Sequence, residues 1–117
     1  MIAISKSVAV SKIRIEELSP ELSVCKVEDY SQVDLTGGLC FIGSTDEEKS
    51  LVCPTDLVPQ NAIERDDGWR AMRIKGVLDF ALIGILSGIS TELARHAIGI
   101  FAVSTFNTLY TGKNSRL

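Results

Sequence analysis

The chain has 117 residues, 45% of them hydrophobic and 23% charged, with a formal net charge of −3 at pH 7. That length suits one compact unit or two very small subdomains sharing a core, and the Val, Ile and Leu content excludes disorder throughout. No run of Lys or Arg exceeds one residue, so the clustered basic surface that neutralises phosphates is missing and no nucleic-acid partner is expected.

Residues Met1 to Val10 carry a lysine but no long apolar run and no cleavage-like site, unlike a secretory leader. The most apolar stretch, Val77 to Val103, is interrupted by Asp79, Glu92, Arg95 and His96. A membrane span needs about 20 nearly uncharged apolar residues, so no membrane partner is expected and the expected compartment is the cytoplasm. The three cysteines, Cys25, Cys40 and Cys53, are widely spaced, and the single histidine, His96, lies far from them. No convincing zinc set forms. Three reduced thiols in or near the core fit this spacing and a reducing compartment.

In chain order, residues 11–18 read as a first strand, marked by Ile13 and Ile15. Ser19-Pro20-Glu21 reads as a turn, because proline fixes φ and donates no amide. Leu22 to Val27 follows as a strand, and Asp29 to Thr36 has room for a short helical turn before the Gly37-Gly38 break. Leu39 to Ser44 reads as a strand. Thr45 and Glu48 have the spacing of a helix capping box, and Lys49 to Cys53 returns as a strand ended by Pro54. The stretch from Pro54 to Gly68, with Pro59 and the acidic run of residues 64–67, is the expected boundary between two halves. No exact repeat crosses it, only a weak likeness of order.

In the second half, Trp69 to Lys75 alternates as a strand. Asp79 is placed to cap a helix over residues 80–97, whose Leu82, Ile85, Leu86, Ile89 and Leu93 form one apolar stripe. Ser87, Thr91 and Arg95 fall on another face. Gly99 ends the helix, and Ile100 to Phe106 is an apolar strand. Strand, helix and strand of these lengths favour a crossover unit, hence a ferredoxin-like split βαβ sheet of α+β class.

Three stretches carry a resemblance: Leu51-Val52-Cys53-Pro54 through Gly68-Trp69-Arg70, then Gly76 to Leu86, then Ile98-Gly99-Ile100-Phe101-Ala102-Val103-Ser104-Thr105-Phe106. They resemble the small proteins with paired ACT domains, a family that includes the domains of the cytosolic arginine sensor. The likeness spans about residues 20 to 110. It implies an ACT-like βαββαβ fold of two small subdomains with antiparallel sheets. Residues 1–60 would form a degenerate N-terminal ACT-like subdomain, and residues 61–117 a C-terminal ACT domain that is incomplete. It also implies regulatory binding of a free amino acid, without catalysis, cofactor or metal, in a homo-oligomer or with a partner protein.

The ligand-binding residues implied are Asp79, Phe80, Leu82, Ile83, Gly84, Ser104, Thr105 and Phe106. A free amino acid carries a carboxylate, which the open amides of a helix start can take with help from the dipole. Gly84 lets ligand atoms approach the backbone. Asp79 is placed for the ammonium, Ser104 and Thr105 offer hydroxyls, and Phe106 offers a flat apolar wall. Each residue also has a plain structural role open to it: Asp79 as cap alone, Gly84 and Gly88 for helix-to-sheet packing, Ser104 and Thr105 as strand residues, Phe106 as core.

Two departures stand against the family pattern. Leu109 occupies the place of an aspartate that faces the ligand in the sensors, and an apolar group cannot offset a buried cation. After Tyr110 the chain reads Thr111-Gly112-Lys113-Asn114-Ser115-Arg116-Leu117, and the strand and final helix expected there are missing. Residues 111–115 lack the upstream glycine of a phosphate loop. The alternative to a sensor is an interaction or dimerisation module without ligand.

Overall fold

The computed structural model describes residues 13–76, 82–96, 100–105 and 108–114. The elements are β1 (Ile13–Val27), β2 (Phe41–Ser44), β3 (Lys49–Pro54), a 3-10 turn over Thr55–Leu57, β4 (Ala62–Gly76), α1 (Leu82–Arg95), β5 (Ile100–Ser104) and β6 (Leu109–Asn114). The hydrogen-bonded strand order is β2-β3-β1-β4-β6-β5. The pairs β1–β3, β2–β3 and β5–β6 are antiparallel. The class is α+β as expected, but the described order holds one α-helix where βαββαβ has two. Two compact units divide the chain, residues 19–69 and residues 1–18 with 70–117.

In the unit of residues 19–69, the segment between β1 and β2 forms turns and bends instead of helix. Two aspartates explain this. Asp29 Oδ1 accepts the Ser31 amide at 3.0 Å and its hydroxyl at 2.5 Å, and Asp34 Oδ1 accepts the Thr36 amide at 2.9 Å and hydroxyl at 2.6 Å. Such side chains satisfy the backbone locally and compete with helix. Gly38, at φ 96°, completes the break.

Thr45 caps a turn, but the turn is a hairpin and not a helix. Its hydroxyl accepts the amides of Glu47 and Glu48 at 3.2 and 3.1 Å, and its own amide donates to Glu48 O at 3.0 Å. The expected turn at 19–21 is absent, because β1 runs through Pro20 unbroken. The β1–β3 ladder begins only at Leu22 opposite Pro54, so it asks Pro20 for no donor. The acidic stretch, expected as a boundary, lies inside β4. There Gly68 supplies a φ of 89° that other residues adopt only with strain. The register puts Ser23 opposite Cys53 and Cys25 opposite Leu51 on one face. That face buries Cys25, Val27, Leu51 and Cys53 against Tyr30, Val33, Cys40, Val58 and Ala62.

In the other unit, α1 is followed by β5, and β6 stands between β4 and β5 in the strand order, the split arrangement expected for a ferredoxin-like sheet. Ser87, Thr91 and Arg95 are exposed, as their spacing requires. The strand expected to be missing after Tyr110 is present: Leu109–Asn114 form β6, paired with β5 from Ile100↔Lys113 to Ser104↔Leu109. Gly112 makes this possible, since a Cβ there would stand inside the Phe101 ring. Ala71, Ile74, Val103, Leu109 and Thr111 are buried.

The two hairpins repeat each other. Phe41-Ile42-Gly43-Ser44-Thr45 and Phe101-Ala102-Val103-Ser104-Thr105 occupy equivalent places, with Ser44 opposite Lys49 and Ser104 opposite Leu109 at the loop ends. Thr105 donates its amide to Thr108 O at 2.8 Å just as Thr45 does to Glu48 O. The repeat is one of register and turn chemistry, with little identity beyond Phe, Ser and Thr.

Candidate functional site

Leu82, Ile83 and Gly84 form the first turn of α1. Amides in a first turn have no partner within the helix, and the dipole makes their end attractive to a carboxylate. Asp79, Phe80 and Phe106 lie outside the described residues. Ser104 closes β5, and Thr105 begins the loop to β6. Thr105 is exposed, and its hydroxyl donates to Thr108 O at 3.1 Å, so it holds the turn. A Cβ at Gly88 would meet nothing within 4 Å; close helix packing therefore does not require glycine there. Leu109, the residue in place of the sensors' aspartate, has no exposed surface and pairs with Ser104.

In the unit of residues 19–69 the structure assembles groups that the sequence pattern did not single out. Ser23 Oγ donates to Asp67 Oδ1 at 2.5 Å and lies 3.0 Å from Thr55 Oγ1. A hydroxyl has one hydrogen, so Thr55 is the donor to Ser23. Arg65 forks onto Asp67 from Nε at 3.1 Å and Nη2 at 3.2 Å. The Ser23 hydroxyl, fully buried and committed to a carboxylate, is a structural link and not a nucleophile. Nothing in residue type and spacing announces this link, since its members are spread over three elements.

Across β1, strand alternation sends Val24 and Lys26 to the opposite face from Cys25. Beside them an open groove of about 390 Å³ lies among Val24, Cys25, Lys26, Glu48, Ser50, Glu64, Arg65 and Asp66. Its charges are mixed, and Ser50 Oγ is bonded to Glu48 at 2.7 Å. The Cys25 and Cys53 side chains pack in the cluster with Val27 and Leu51. Cys25 and Cys53 are free and buried, and Cys40 is free and half-buried. The Cys53 thiol, donating toward Cys25, holds the Cys25 thiol below its ordinary value against the opposing effect of burial, with help from Arg65. The same contact and burial push Cys53 far up, and burial raises Cys40. Among the described residues no group of three or more His, Cys, Asp or Glu is placed to hold a metal ion. No helix among them is long and apolar enough to cross a membrane.

Comparison with known proteins places the second half of the chain. Residues 64–111, from β4 through α1 and β5 into β6, match the family model for the ACT domain. The crystal structure of a protein from Agrobacterium tumefaciens is similar over 91% of this chain and 81% of that one, with a TM-score of 0.74 and 29% identity. A protein of unknown function from Vibrio cholerae, described as a possible transport protein, shares the fold. Its TM-score is 0.67 at 13% identity, over 89% of this chain and 80% of that one. No curated protein matches the chain at a significant level.

Proposed function

We infer that the protein is a regulatory module that binds a free amino acid through its ACT domain and performs no chemistry on it. The observation that carries this is the ACT-domain match over residues 64–111, since ACT domains are in general regulatory ligand-binding modules. The amides of Leu82, Ile83 and Gly84 take the ligand carboxylate, and Asp79 takes its ammonium. Ser104 and Thr105 supply hydroxyls, and Phe80 and Phe106 the apolar wall. A buried leucine at 109 gives a cationic side chain no countercharge, so the ligand is a neutral amino acid. The module acts in the cytoplasm, as a homo-oligomer or on a partner protein.

A thermal-shift screen of the purified chain against the twenty amino acids tests this. A ligand at 100 times its dissociation constant adds about 2.7 kcal/mol to stability, which moves the midpoint by several degrees. The expected result is a shift from one or two neutral amino acids that disappears in Asp79→Ala. A cooperative melt that none of them moves would overturn the reading.

A second reading, a ligand-free interaction module, draws on the sheet ends. Both β2 and β5 terminate the strand order, and Ile42 on β2 is exposed. An edge strand with an exposed apolar residue is a pairing template. A concentration-dependent mass by light scattering together with a silent ligand screen would favour it.

A further inference from the structure

We propose that Cys25 and Cys53 form a reversible disulfide on exposure to a hydroperoxide, making the β1–β3 pair an oxidation site. The argument starts from register. Ser23 stands opposite Cys53 and Cys25 opposite Leu51, so the two cysteines are diagonal neighbours on one face of an antiparallel pair. Both are free and nearly fully buried, at 3% and 4% exposure, in one cluster with Val27 and Leu51.

The two sulfurs share one contact, and it favours the ionised form on Cys25. Cys25 has the more accessible thiolate: the Cys53 thiol stabilises it, and the Arg65 guanidinium adds positive potential. Cys53 stays protonated beside it. Thiolates, and not thiols, attack peroxides. The Cys25 thiolate attacks one peroxide oxygen and the O–O bond breaks. With one proton taken up, the products are water and a sulfenic acid on Cys25. The Cys53 sulfur then attacks the Cys25 sulfur. The S–O bond breaks, and the departing hydroxide takes the Cys53 proton to leave as a second water. Two thiols are oxidised by two electrons, and one peroxide is reduced to two waters.

Diagonal partners in an antiparallel pair stand about 7–8 Å apart, beyond the relaxed Cα range for a disulfide of about 4.4–6.8 Å. Bridging therefore draws β1 and β3 together locally. A strained disulfide has a more oxidising potential and is the labile, regulatory kind, in contrast to a structural one. The segment of residues 28–40 packs Tyr30, Val33 and Cys40 against the cluster. A small peroxide is the fitting oxidant for so enclosed a pair.

The test uses the full chain treated with hydrogen peroxide, then intact mass spectrometry and peptide mapping without reduction. The expected result is a loss of roughly 2 Da, two hydrogens, with a peptide bridging Cys25 to Cys53, and full reversal by reduced glutathione. Cys40→Ser should leave this unchanged, and Cys53→Ser should stop at a Cys25 sulfenic acid trapped by dimedone. The wild-type map decides even where a variant fails to fold. An unchanged mass, oxygen addition without a bridge, a bridge that includes Cys40, or a bridge that glutathione does not reduce would each overturn the proposal.

Discussion

Ser23, with no exposed surface, donates its hydroxyl hydrogen to Asp67 at 2.5 Å, joining β1 to β4 through a carboxylate that Arg65 holds by both oxygens. Removing the hydroxyl strips a donor from Asp67 and leaves the Thr55 hydroxyl without its acceptor. Ser23→Ala is expected to cost about 1–3 kcal/mol, the penalty for polar groups left unmade in a buried setting. Urea unfolding should show a lower midpoint with an unchanged slope. A midpoint equal to wild type would mean that water replaces the hydroxyl without loss.

Gly112 and Phe101 face each other across the β5–β6 ladder, and the ring occupies the space where a Cβ would stand. Gly112→Ala is expected to destabilise by about 1–3 kcal/mol through overpacking, even though alanine relieves chain entropy in other strands. Pairing it with Phe101→Leu should recover most of the loss, a coupling that a double-mutant cycle reads directly. Additive single effects would show that the ring does not depend on the glycine.

These two contacts explain why part of the fold was legible in the sequence and part was not. The strand at Trp69, the helix and the strand at Ile100 carry strong local periodicity, and all three are present. Pro20 and the acidic run before Gly68 carry local turn signals, yet both sit inside long strands: the β1–β3 ladder begins only past Pro20, and Gly68 takes an unusual φ. The strand over Thr111 to Asn114 reads as missing, because its small and polar residues lack alternation. What holds it in a sheet is a ring seated on a glycine, which no periodicity reveals. Of the elements that carry the candidate residues, the helix and the strand from Ile100 were legible, but the end of that strand at Ser104 was not. The Ser23 link and the thiol pair were not, since they arise from register across strands far apart in sequence.

Asp29 and Asp34 make a pH prediction. The Ser31 hydroxyl and then its amide hold the Asp29 carboxyl below the ordinary 3.8, and Thr36 does the same for Asp34. A depressed folded-state value means that this stabilisation is complete above the unfolded value and is lost as pH falls through the folded one. The melting temperature should therefore decline below about pH 4. The double variant Asp29→Asn with Asp34→Asn should flatten that acid limb while changing little at pH 7, where asparagine still accepts the same donors. An identical acid limb in the variant would assign the decline to other carboxylates.

Leu109 offers the sharpest contrast between a family pattern and this chain. Restoring the sensors' acid by Leu109→Asp would place a carboxylate at a position with no exposed surface, directly opposite Ser104 in the ladder. Burying a carboxylate without a paired charge is costly. The expected cost exceeds about 4 kcal/mol, most of the stability of a small domain. Leu109→Met, which keeps volume and polarity, should cost less than about 1.5 kcal/mol. Circular dichroism melts of the two variants separate the outcomes. If Leu109→Asp instead melts near wild type and arginine raises its midpoint, position 109 faces a ligand cavity after all, and neutral-ligand preference follows from that single side chain.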